Sequence, residues 1–116
     1  MNETTKRNDQ IHKLPDSELE VMQAIWQLHA EGETNVTAGL IMRRFPAVSR
    51  LKLTTVLTLI TRLDRKGFIR SEKLGRTNCY FPLVEREAYL RFAAEDFLKK
   101  TFLGDRETLV CMVRGK

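Results

Sequence analysis

A chain of 116 residues, 42% of them hydrophobic, is long enough for one domain with its own core and a short appendage, without disulfides or structural metal. No apolar run approaches the ~20 residues that a spanning helix needs, and the polar start MNETTKRNDQIHK lacks the apolar stretch of a secretory signal, so a cytoplasmic protein without membrane insertion is expected. The net charge of +5 is unevenly spread: Arg43 to Arg76 holds ten basic and two acidic residues, a local +8, and such segregation is the footprint of a surface made for phosphates.

Residues 1–13 show no periodicity and predict a flexible N-terminal arm. A first helix follows. Asp16 or Ser17 can cap it, Ser17 and Glu20 have the spacing of a capping box, and Leu19, Met22, Ile25, Trp26 and Leu28 recur at helical spacing until Gly32. Thr37 can cap a short second helix that turns Leu40, Ile41 and Phe45 inward. Pro46 is expected to stop it, leaving PAVSR as a linker.

The third helix is predicted from about Lys52 to Lys66. Val56, Leu59, Ile60 and Leu63 fall within a narrow arc at about 100° per residue and define its inner side. The opposite side carries Thr54, Thr58, Thr61, Arg62 and Arg65, flanked by Thr55. Threonine is a mediocre helix former, so this row asks for a reason beyond propensity. Short hydroxyls allow close approach and can bond phosphates or base edges, their methyls suit thymine, and arginine forks suit guanine or phosphate.

After Gly67 the period changes to two. Ile69–Lys73 and Thr77–Phe81 read as antiparallel strands around a Leu74-Gly75-Arg76 turn, and Lys73 and Arg76 put positive charge at its tip. From Glu85 the pattern is helical again, broken at Gly104, with a last short helix to the end. Tyr89, Phe92, Phe97, Leu98, Phe102, Leu103, Leu109 and Val110 are a large apolar supply for a tail, and a second copy of the chain is the simplest cover for them. Cys79 and Cys111 lack metal-ligand spacing and read as two small buried side chains.

Three helices followed by a basic hairpin is the order of a winged helix-turn-helix. The expected architecture is therefore mainly α with a small β-hairpin: a winged-helix domain over 14–83 and a helical dimerisation region over 84–116. In that arrangement the third helix enters the major groove through Thr54, Thr55, Thr58, Arg62 and Arg65, and Lys73 and Arg76 meet the phosphate backbone. Winged helices also serve as protein-docking modules, but docking has no need of a +8 segment centred on the third helix and hairpin. No nucleophile–base pair, metal-ligand cluster or Gly-rich phosphate loop is present, so neither an enzyme nor a cofactor is expected.

The strings ELEVMQAIW in the first helix, TTVLTLITRLDRKGFI in the third, and GRTNCYFPLVEREAYL across the wing resemble the penicillinase repressor family, over about Leu14 to Val113. That family includes beta-lactamase, methicillin-resistance and copper-responsive repressors. The resemblance implies a homodimeric transcriptional repressor of the antibiotic-response type on a near-palindromic, double-stranded operator, with Thr55, Thr58 and Arg62 matching the family's recognition-helix residues. It also implies release through a membrane metalloprotease sensor that cuts the tail; from the tail's apolar supply, Tyr89, Phe92, Phe97, Phe102, Leu109 and Val110 are the expected dimerisation residues. Met112 and Val113 are the candidate cleavage site, and they depart from the Asn-Phe pair that staphylococcal members carry there. The copper branch's Cys-x-Cys motifs are absent, so copper sensing is not expected. The sequence ends at Lys116, where relatives usually carry more helix, so pairing is expected either to be weaker or to rest on the apolar set from Ala88 to Val113 alone.

Overall fold

Helix α1, Asp16–Ala30, buries Val21, Met22, Ala24, Ile25, Trp26 and Leu28 along one side. The computed structural model describes residues 11–115. The Ser17–Glu20 capping box does not form. The helix begins on Pro15, whose carbonyl accepts the first turn's bond from Leu19 N–H at 2.9 Å, and Asp16 and Glu18 lie in the first turn, where the helix dipole favours negative charge. The flexible arm expected over 1–13 lies mostly outside the described residues. Within them Ile11 is buried together with Leu14, so the arm does not extend that far.

Helix α2, Ala38–Arg44, starts as expected on Thr37, whose hydroxyl accepts from Leu40 N–H at 3.1 Å. Pro46 does not lead into an irregular linker. It opens a further turn, α3, Pro46–Ser49, because a proline at a helix start has no N–H to leave unpaired and its φ is already helical. That turn brings Val48 into the core.

Helix α4, Leu53–Arg65, is the predicted third helix, and all four inner residues, Val56, Leu59, Ile60 and Leu63, are buried. Its end is closed twice. Gly67, at φ 81°, donates to Asp64 O at 3.0 Å, and Phe68 donates to Leu63 O at 2.9 Å. This left-handed glycine cap satisfies carbonyls that the helix end would otherwise leave unpaired. The chain then enters β1, Ile69–Leu74, which pairs antiparallel with β2, Thr77–Pro82, in a register from Ile69↔Pro82 to Leu74↔Thr77. Each strand is one residue longer than predicted. Gly75 and Arg76 alone make the turn, and Gly75 has φ 66°, as a glycine-first two-residue hairpin loop requires.

The hairpin's base is sewn into the helices. Tyr80 N–H donates to Val36 O at 2.9 Å, and Leu83 N–H donates to Phe68 O at 2.7 Å. Trp26 Nε1–H donates to Val84 O at 2.9 Å. Helix α5, Arg86–Phe102, begins against the same core, and α6, Arg106–Arg114, follows after Leu103 and Gly104 with no buried residue of its own. Cys79 is buried as expected, whereas Cys111 is exposed, on a helix that buries none of its residues.

Among the described residues, one charged side chain lies in the core. Glu18 is 3% exposed, and Lys66 Nζ at the end of α4 sits 2.5 Å from its Oε1 while remaining 31% exposed itself. The two partners are thus unequal. Removing the lysine strands a buried carboxylate; removing the carboxylate leaves an ammonium that reaches water. Lys66→Met is expected to lower the unfolding free energy by about 3 kcal/mol. Glu18→Gln should lower it by about 1 kcal/mol. Equal losses in chemical denaturation would contradict this reading.

Candidate nucleic-acid interface

The outer side of α4 resolves into two rows of side chains four residues apart. Leu53, Leu57, Thr61 and Arg65 form one; Thr54, Thr58 and Arg62 form the other, with Thr55 beside them. All are exposed, and neither row contains an acid. Each row runs from short or apolar groups at the N-terminal end to an arginine at the C-terminal end.

Two hydroxyls do not present what the sequence suggests. Thr58 Oγ1 donates to Thr54 O at 3.0 Å, and Thr61 Oγ1 donates to Leu57 O at 2.9 Å. Their protons are committed inside the helix, which is a common alternative for threonine on a helix surface. What they still offer outward is a methyl group and oxygen lone pairs. Leu53 and Leu57, which the sequence reading left unassigned, join them on this side. The available signal was their position off the inner arc of Val56, Leu59, Ile60 and Leu63.

Ion pairing sorts the basic residues of the +8 segment. Arg44 pairs with Glu31 at 3.0 Å, Arg50 with Glu20 at 3.3 Å, Lys66 with Glu18, and Arg70 with Glu72 at 3.1 Å. Hydrogen bonds from Gln27 and Arg44 hold the Glu31 carboxyl below its ordinary range, so it stays ionised beside Arg44. Arg70 also lies over the Phe81 ring, 4.4 Å from its centroid. Among the described residues, Arg43, Lys52, Arg62, Arg65, Lys73 and Arg76 have no ion-pair partner. Four of these six are the arginines and lysine expected to meet DNA. Lys73 and Arg76 stand exposed at the hairpin tip, and Lys73 is in register with Asn78.

The tail residues divide. Tyr89, expected at a dimer interface, is 3% exposed inside the chain's own core, and its hydroxyl accepts from Leu14 N–H at 2.8 Å. Its ring lies 5.9 Å from Trp26 and 5.8 Å from Phe68. An apolar residue early in α5 joins the nearer core, which is why the spacing alone misassigned it. Phe92 is half-buried against the same core. Phe97 and Phe102 meet edge to face at 5.4 Å, Phe97 being exposed and Phe102 half-buried. Leu109 is half-buried, while Val110, Met112 and Val113 are exposed. Leu103 is 89% exposed and sits at φ 52°, left-handed backbone that a leucine rarely adopts.

Buried helices carrying an outward basic helix and a charged hairpin define a winged-helix domain, here continued by a helical tail. The profile of the penicillinase repressor family matches residues 14–114. The chain belongs to that family. It is 29% identical over 100 residues to the penicillinase repressor of Bacillus licheniformis, covering 86% of this chain and 74% of that protein. It is also 29% identical over 103 residues to the methicillin resistance regulatory protein MecI of Mammaliicoccus sciuri, covering 89% of this chain and 80% of that protein. Among solved structures it is similar to the DNA binding domain of the repressor BlaI, with a TM-score of 0.53 and 27% identity over 66% of this chain and 88% of that one.

Placing Tyr89 in the core has a measurable consequence. Tyr89→Phe removes the acceptor for the buried Leu14 N–H and should lower stability by about 1–2 kcal/mol. That loss is expected to be the same across a wide range of protein concentration, with the association state in sedimentation unchanged. A concentration-dependent loss would return Tyr89 to an interface between chains.

Proposed function

We propose that the protein is a DNA-binding transcriptional repressor that acts as a homodimer on a two-fold-symmetric duplex operator. Each protomer lays α4 in the major groove and sets the Gly75–Arg76 turn against the phosphates. Membership of the penicillinase repressor family and likeness to the BlaI DNA binding domain support the repressor role.

One observation carries the groove assignment. The two outward rows of α4 contain no acid, begin in short side chains and end in Arg62 and Arg65, which have no ion-pair partner among the described residues. These rows can approach a polyanion closely, and the one acid of α4, Asp64, is exposed at the far C-terminal end beside Arg65. Thr54, Thr55 and Thr58 then face the groove floor, and Arg62 and Arg65 the phosphate wall. Lys73 and Arg76 hold the register without reading sequence.

The tail supports pairing. Phe97, Leu103, Val110, Met112 and Val113 are exposed apolar side chains on or beside α5 and α6. Packing against a second copy would remove them from water and fix two recognition helices at one spacing, which operator symmetry then mirrors. Control falls to the same tail. The Met112–Val113 bond lies in α6, a helix without a buried residue, and such segments open locally at little cost. That opening is what a membrane metalloprotease sensor needs in order to cut there and weaken the dimer. No helix among the described residues is long and apolar enough to cross a membrane.

Binding to a specific and a random duplex, measured across a range of salt, tests the division of labour. Arg76→Ala should weaken both alike and lower the salt slope by about one. Thr58→Ala should weaken the specific duplex by more than the random one. Equal effects of the two substitutions on both duplexes would remove the distinction between reading helix and wing.

A further inference from the structure

The outer side of α4 is more apolar than attraction to phosphate requires. Leu53 is 51% exposed and Leu57 39%, one turn apart in the first half of the helix. Thr54 and Thr58 lie beside them in the parallel row. The Thr58 hydroxyl proton is committed to Thr54 O, so its outward groups are a methyl and an acceptor oxygen. Between Lys52 at the N-cap and Arg62 and Arg65 near the other end lies a band of methyl-bearing side chains.

Charge selects the occupant of this band. Its two ends are cations without ion pairs among the described residues, and no acid interrupts either row. A like-charged second copy would bring those cations together, whereas duplex DNA brings phosphates to both ends. Within the major groove of an unmodified duplex, the apolar group available to leucine is the C5-methyl of thymine. Cytosine and the purines present amino, carbonyl or ring-nitrogen edges there, which leucine would desolvate without replacing their hydrogen bonds.

We propose that Leu53, Leu57 and Thr58 read thymine methyl groups, so that each half-site presents thymines to the first two turns of α4. This rests on α4 being the helix that enters the groove. The leucines supply specificity through burial, and Arg62 and Arg65 anchor the helix that carries them.

Deoxyuridine provides the test, because it removes the methyl and leaves base pairing and the O4 acceptor intact. In the duplex enriched from random sequence by the full chain, each half-site thymine is replaced in turn. At two or more positions affinity should fall about fourfold, the equivalent of one buried methyl group. Leu57→Ala should abolish the sensitivity at one of these positions, since the contact is already gone, and should weaken the enriched duplex by more than random DNA. If every thymine can be replaced with less than a twofold change in a duplex still bound specifically, the thymine reading is overturned and DNA recognition by α4 stands. If Leu57→Ala alters the association state and leaves deoxyuridine sensitivity intact, the face belongs to a second copy and the proposal fails. If no duplex is enriched, groove entry by α4 fails and takes this inference with it.

Discussion

Phe68 is the point through which α4, the wing and the tail are held to one another. Its N–H closes α4 on Leu63 O. Its carbonyl accepts from Leu83 and Val84, the residues that follow the hairpin, and its ring meets Tyr89 of α5 at 5.8 Å. Only a glycine before it reaches the required backbone without strain, and Gly67 supplies φ 81°. One buried residue thus fixes where α4 stops, where the wing starts and where the tail departs. The Glu18–Lys66 pair sits on the same turn and ties it to the start of α1. For the proposed groove contact, α4 must be held rigidly from behind, and these contacts supply that backing.

The electrostatics follow from which cations are already occupied. Glu18, Glu20 and Glu31, all on or just after α1, take Lys66, Arg50 and Arg44. These pairs join α1 or its C-terminal end to the helices packed beside it, the Glu31–Arg44 and Glu20–Arg50 pairs exposed and the Glu18–Lys66 pair partly buried. The cations on the outward rows of α4 and at the wing tip keep their charge for a partner. Net charge therefore overstates the positive surface, and its position matters more than its sum.

Much of this was legible in the sequence. The inner arc of α4 was readable because four apolar residues at helical spacing admit one buried side, and the hairpin because alternation and a glycine turn are local signals. Proline is ambiguous in isolation: Pro46 ends one helix and starts the next turn, and Pro15 displaces the Ser17–Glu20 cap. Glu18 gave no sign of burial, since the lysine that neutralises it is 48 residues away in the chain. Tyr89 looked like an interface residue because apolarity does not say which core a side chain will join. In the candidate site, the arginine and lysine positions were readable from charge. The commitment of the Thr58 proton and the exposure of Leu53 and Leu57 depend on helix phase and on hydrogen bonds that composition does not encode.

The central claim is that a paired protein reads duplex DNA through α4. Selection of random duplexes by the purified chain at physiological salt, read by sequencing, addresses both halves of it at once. The account predicts enrichment of a two-fold-symmetric site whose half-sites lie about one helical turn, or a whole number of turns, apart. Absence of enrichment, with binding that fades uniformly as salt rises, would contradict it and leave only nonspecific attraction to phosphate.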